Sequence, residues 1–281
     1  MKTKSRFASS FVAPWCVLIA VFAASASSAS AQTLIAHYNL SPTNPTVGNL
    51  FTDSSPTTEQ NPSLTLSSAG GGAIRSTTVL SPDPTATTAA SAFFDGNGGR
   101  YVRNGTDFTG YTALTFDWHM MSTGTADGVH TVFGSGSSMN NAGSFRVNIN
   151  PDQETLTVQH RMAAGVLAQS TYSVAGLDDW QHYTVTIDNS VVTTDGHLSL
   201  WIGGQLQTPT TATISGTVTG AAFGSSWLVV GRYADGLTGN FTGYLQDFKI
   251  YSGTLIPEPA SIALFIGLAG AAMVFVVRRR R

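Results

Sequence analysis

Cysteine is nearly missing from this chain: Cys16 is the only one in 281 residues, and it lies in an apolar leader. The rest of the protein therefore uses neither disulfides nor thiol chemistry. Glutamate is almost as scarce, with Glu59, Glu154 and Glu258 alone. That leaves little material for a carboxylate pair set at alternate positions along a strand. Cationic residues are few and unevenly placed. Residues 32–256 hold 7 Lys plus Arg against 15 Asp plus Glu, a formal charge of −8, whereas the full chain reads −2. A domain of that sign with scattered arginines is a poor match for nucleic acid, which needs clustered positive charge. Anionic headgroups repel it as well. Helical periodicity is also missing between the two ends of the chain.

The basic residues sit instead at the termini. Lys2, Lys4 and Arg6 precede an apolar stretch from Phe11 to Ala24, followed by the small residues Ser25 to Ala31. Ala29-Ser30-Ala31 offers an A-x-A cleavage site between Ala31 and Gln32, the pattern of a cleavable signal peptide over residues 1–31. Pro14 and Trp15 precede Cys16 where a lipidated cysteine needs small residues, so lipidation does not fit.

At the other end, Pro257-Glu258-Pro259 is followed by an uncharged, mostly apolar run from Ala260 to Val277 and by Arg278, Arg279, Arg280 and Arg281. A helix of those 18 residues is about 27 Å long, close to the hydrocarbon thickness of a bilayer. The arginines hold its end on the cytoplasmic side, which leaves everything upstream outside. The two prolines favour extended backbone and separate the domain from the helix. This order resembles the PEP-CTERM sorting signal of bacterial exported proteins. The resemblance implies an exosortase-type membrane transpeptidase as partner, processing near Pro257–Pro259, and an envelope or extracellular location with transient or permanent anchoring in the inner membrane. An ordinary tail anchor is the alternative.

Residues 32–256 are rich in Gly, Thr and Ser, and short alternating segments recur between turn residues. Strands are expected at Leu34–Leu40, Tyr111–Met121, Thr131–Gly134, Ser144–Ile149, Thr155–His160, Val166–Ser173, Trp180–Ile187, His197–Ile202, Trp227–Gly231 and Phe241–Tyr251. Tyr183, Val185 and Ile187 share one face, and Leu198, Leu200 and Ile202 repeat the period after Thr194-Asp195-Gly196, which predicts a hairpin. Phe241, Gly243 and Leu245 are out of phase with Phe248 and Ile250, so a bulge near Gln246-Asp247 is needed to bring both sets to the core. The fold class is all-β: an antiparallel two-sheet jelly-roll sandwich, with long loops and one or two edge strands across residues 41–88.

Several segments carry a second resemblance. Ser91-Ala92-Phe93-Phe94-Asp95-Gly96, Asp179-Trp180-Gln181-His182-Tyr183-Thr184-Val185-Thr186, Ser199-Leu200-Trp201-Ile202-Gly203-Gly204, Val230-Gly231-Arg232 and Phe241 to Tyr251 follow the order of strand motifs in laminin-G-like, concanavalin A-like domains. The match runs best over residues 90–255, with Gly203 and Gln246 departing from acidic residues common in that family. The resemblance implies a lectin-like jelly roll, with Trp180 in its core.

No catalytic residues stand out. Asp178-Asp179 read as turn residues before Trp180, and the six histidines form no metal-ligand spacing. No cofactor is implied except Ca²⁺, for which Asp95 and Asn97 are candidates beside a simple Asp-Gly, Asn-Gly turn. Trp118, Trp201, Trp227 and Tyr233 are candidate sugar-stacking rings, with core packing as the competing role. The expected function is an exported surface protein binding extracellular polysaccharide or matrix. A structural surface protein without ligand and a glycan-active hydrolase or lyase are the alternatives.

Overall fold

The computed structural model describes residues 33–38, 50–51, 64–67, 74–76, 91–96, 98, 100–123, 128–136, 138–217, 220–232 and 239–254. The expected signal peptide with its Ala31/Gln32 junction, the Pro257-Glu258-Pro259 motif, the 260–277 run, Arg278–Arg281, Asn97 and Tyr233 lie outside these residues. Among the described residues no helix is long and apolar enough to cross a membrane.

Alternation along the chain becomes strand after strand. In order these are β1 (Thr33–Tyr38), β2 (Leu50–Phe51), β3 (Leu64–Ser67), β4 (Ile74–Ser76), β5 (Ser91–Asp95), β6 (Arg100–Asp107), β7 (Ala113–Ser122), β8 (His130–Ser135) and β9 (Phe145–Asn150). They continue as β10 (Thr155–Ala163), β11 (Val166–Ser173), β12 (Gln181–Asp188), β13 (Leu198–Ile202), β14 (Gln205–Leu206), β15 (Thr211–Ser215), β16 (Ser225–Val230), β17 (Gly239–Asn240) and β18 (Thr242–Ser252). The first sheet runs β14-β13-β12-β7-β18-β5-β4, with β1 on β18. The second runs β15-β11-β10-β9-β8-β16-β6-β3-β2, with the short β17 parallel to β8. Every other pairing is antiparallel.

The inner faces of the two sheets meet in an aromatic core. Phe116 of β7 lies 5.0 Å from Phe133 and 4.9 Å from Phe145 of the opposite sheet, ring centre to ring centre. Trp118 sets its edge on Phe133 and stacks on Tyr183. Such tilted and edge-on pairs add to the large apolar area each ring removes from water. Tyr183, Val185 and Ile187 all point inward from β12, and β13 pairs with them as the expected hairpin.

The expected phase change in β18 is present as a bulge between Gln246 and Lys249. Asp247 takes it up with φ 53°, a left-handed conformation uncommon outside glycine. Leu245, Phe248 and Ile250 are all buried as a result, and Gln246, Asp247 and Lys249 stay with the other face. Gly143 (φ +80°) has a different reason to be glycine: a Cβ there would overlap the backbone of Gly224, where the two loops cross.

Four strands have no counterpart in the sequence reading: the two-residue β14 and β17, together with β15 and β6. β15 alternates exposed and half-buried residues and offers no apolar stripe, and β6 opens on Arg100 and passes through Asn104-Gly105. Of residues 41–88, the short strands β2, β3 and β4 are described; β2 and β4 end their sheets.

Candidate functional site

The outward face of the first sheet collects side chains that alternation removes from the core. Cross-strand register sorts them into rows. One row joins Met121 of β7, Tyr244 of β18 and Phe93 of β5, with Trp180 at the entry to β12. The rings of Phe93 and Tyr244 lie 4.9 Å apart, and those of Trp180 and Tyr244 6.2 Å apart. All four side chains are half-buried.

The next row is polar: His182 of β12, His119 of β7 and Gln246 of β18. His119 stacks on His182 with ring centres 4.7 Å apart. Burial, and then the neighbouring His182, push the His119 imidazole below its usual pKa. His119 Nδ1, Gln246 Oε1 and the nearby Trp180 Nε1 are buried and have no hydrogen-bond partner among the described residues. Buried polar atoms left this way cost free energy, about 1–3 kcal/mol each.

The third row holds the charges, with Thr184 of β12, Asp117 of β7, Lys249 of β18 and His37 of β1 in register. Asp117 Oδ2 accepts from His182 Nε2 and Thr184 Oγ1, both at 2.8 Å. Oδ1 takes no hydrogen bond from a described residue and is not sealed from solvent. Asp247 accepts from His37 Nε2 and from Lys249 Nζ, each at 2.5 Å. Burial alone would raise the Asp247 carboxyl, but these two donors outweigh it and hold it well below the usual carboxylate range.

The candidate residues fall in different places. Trp118 is wholly buried, which makes it a core residue and corrects its reading as a stacking platform. Its neighbours on both sheets enclose it because it points inward from the centre of β7. Trp201 faces the other way on β13 but is only 8% exposed, too enclosed to offer a ring face to a sugar. Trp227, on β16 of the second sheet, is 45% exposed and remains available. Trp180 is half-buried on the outer face, not in the core as expected, because it precedes β12 in phase with His182. Asp95 ends β5 on the same outer face. Asp178 and Asp179 are exposed turn residues, as expected. His182 is hydrogen-bonded to Asp117. The Asp117, Gln246, Asp247 and Lys249 cluster was not legible as a site, since its members lie on strands β7 and β18, more than a hundred positions apart in the chain.

A sandwich of two antiparallel sheets, with a polar and aromatic outer face on one of them, is a lectin-like architecture. Residues 94–259 match the laminin G type model of the concanavalin A-like lectin/glucanases superfamily, and the chain belongs to that superfamily. No curated protein matches it. Among solved structures it is similar to domain 4 of AbnA, a GH43 extracellular arabinanase from Geobacillus stearothermophilus in complex with arabinotriose (15% identity, TM-score 0.51, 80% of this chain and 95% of that one). It is also similar to the binding domain of botulinum neurotoxin serotype G (11%, TM-score 0.56, 84% and 51%). A third is a sialidase of Trypanosoma rangeli in complex with the inhibitor DANA (15%, TM-score 0.51, 79% and 31%). The chain thus spans about half of the toxin domain and a third of the sialidase, and these likenesses show the fold alone.

Proposed function

We propose that this protein is an exported surface protein whose sandwich binds extracellular polysaccharide through the outer face of the β12-β7-β18-β5 sheet. The observation that carries the reading is the row Trp180, Tyr244 and Phe93 lying directly beside the row His182, His119 and Gln246. Aromatic rings cover the apolar faces of sugar rings, and an adjoining line of donors and acceptors meets their hydroxyls. Asp117 Oδ1, which takes no hydrogen bond from a described residue, is an acceptor beside that line for one of those hydroxyls. The arabinotriose held by the AbnA domain supports a saccharide as ligand class.

The termini support the rest of the proposal. A leader ending at Ala31 and a tail of Pro257-Glu258-Pro259, apolar run and four arginines suit a chain delivered outward, held in the inner membrane and processed by an exosortase-type enzyme. A hydrolase reading draws on Asp117 and Asp247, which share the face. Asp247 is held as an anion by Lys249 and His37, so it is unsuited to donate a proton to a leaving group.

The test is a glycan array probed with the full chain in a polyoxyethylene detergent, alongside Trp180→Ala and Tyr244→Ala. Saccharide binding that both substitutions weaken is expected. No binding to any polymer, or binding indifferent to both, would overturn the reading.

A further inference from the structure

We infer that Asp117 makes this face selective for uncharged glycans, so that a saccharide is rejected when its primary hydroxyl is oxidised to a carboxylate. The inference rests on the outer face being the glycan site.

Asp117 lies at the centre of the face, 7% exposed, on β7 between β12 and β18. Its partners His182 and Thr184 are donors that leave its charge in place when the imidazole is neutral. The cation that could neutralise it is Lys249, in register across the strand pair. Lys249 Nζ is instead bonded to Asp247 at 2.5 Å, and the Asp247 carboxylate takes His37 on its other oxygen. The charged groups placed on this face are therefore Asp117, Asp247, Asp95 and, at the end of β12, Asp188 against Lys249, with His37, His119, His182, Tyr244 and Tyr251 as the other titratable groups. No free cation among the described side chains of the face awaits an anion.

The open oxygen of Asp117 does the positive part of the recognition. Two hydrogen bonds saturate Oδ2 and fix the plane of the carboxylate, and Oδ1 is left as an acceptor for a sugar hydroxyl. A carboxylate on the ligand brings no donor to that position and adds a like charge beside a mostly buried one, where water screens poorly.

The decisive comparison uses matched polymers. Hydroxyethyl cellulose, xyloglucan and 1,4-linked galactan are each paired with the same polymer after partial oxidation of its primary hydroxyls, and with that product after methyl esterification. Retardation of the full chain is followed by affinity electrophoresis at neutral pH. The expected result is binding to at least one neutral polymer, at least about tenfold weaker to its oxidised form, and recovery on esterification; tenfold corresponds to about 1.4 kcal/mol. Asp117→Asn should narrow the neutral-to-oxidised ratio toward one. Asp195→Asn, which removes one charge from an exposed turn away from the face, should leave the ratio wide. Equal binding of oxidised and esterified polymer by the unaltered protein overturns the inference but leaves the glycan site standing. So does a folded Asp117→Asn protein with an unchanged ratio. Should Asp117→Asn not fold, the esterification arm still decides. If no neutral polymer is bound, the glycan reading itself falls, and this inference with it.

Discussion

His160 and His197, 37 residues apart in the chain, meet ring against ring in the core, with His160 Nδ1 3.0 Å from His197 Nε2. Both are buried. Their outer nitrogens face carbonyl groups, which only accept: His160 Nε2 donates to Ala222 O at 3.1 Å, and His197 Nδ1 donates to Asp188 O and Val191 O, each at 2.7 Å. With those protons assigned by their partners, the two facing nitrogens of a neutral pair both present lone pairs. A third proton would close the bridge, but it would put a charge in the core.

Burial, and then the charge His197 could carry, push the His160 imidazole down to about 3. Burial lowers His197 too. A histidine whose folded pKa lies below its unfolded value binds fewer protons in the folded state. Stability is then fully present above the unfolded value of about 6.5 and is lost as pH falls toward the folded one. Urea midpoints should therefore drop between pH 7 and pH 4.5, and drop less in His160→Gln, which cannot titrate. Equal losses in both proteins would show that the pair does not set the acid response.

Phe116→Ala should cost about 3–5 kcal/mol, because the ring touches Phe133, Phe145 and Phe248 and its removal leaves a cavity between the sheets. Thermal melting should show a fall of several degrees or a failure to fold. Trp180→Ala should cost less, since its ring is half-buried on the outer face, and its main effect should be on glycan binding. Reversed magnitudes in the two melts would put Trp180 in the core after all.

Asp247 anchors Lys249 and His37 from the bulge in β18. Asp247→Ala should cost about 1–3 kcal/mol by leaving a half-buried ammonium without its acceptor. The unaltered carboxyl has a folded pKa below its unfolded one, so its contribution is present at neutral pH and is lost as pH falls below the ordinary carboxylate range. Denaturation of both proteins should thus converge at low pH. A constant difference from neutral to strongly acid conditions would contradict the ion-pair account.

The tail offers a separate prediction, which is a hypothesis about processing. Glu258 precedes the apolar run, and on the proposed topology its charged carboxylate would stay hydrated at the outer interface beside a membrane-embedded enzyme. Intact-mass measurement of envelope fractions from the native host should find protein ending near Pro257–Pro259, without Arg278–Arg281. Glu258→Gln should leave unprocessed chain in the inner membrane. Wild-type protein that keeps the four arginines in every fraction would make the segment a plain anchor.

Period-two alternation is a local property, so the sequence by itself determined which faces of β12 and β13 turn inward and that β18 needs a bulge near Asp247. Composition alone likewise left no thiol in residues 32–256 and no in-strand glutamate motif, because no cysteine follows Cys16 and glutamate is scarce. Strand order is non-local. It depends on which distant segments close against each other, and no short window of the chain encodes that. Only the tertiary structure therefore decided that His182 lies beside His119 and Asp117, that Lys249 pairs with Asp247 and not with Asp117, and that His160 reaches His197 across the core. It also separated the tryptophans, since alternation assigns each one a side but only the second sheet shows which side is enclosed: Trp118 is wholly buried and Trp180 lies half open beside the polar row.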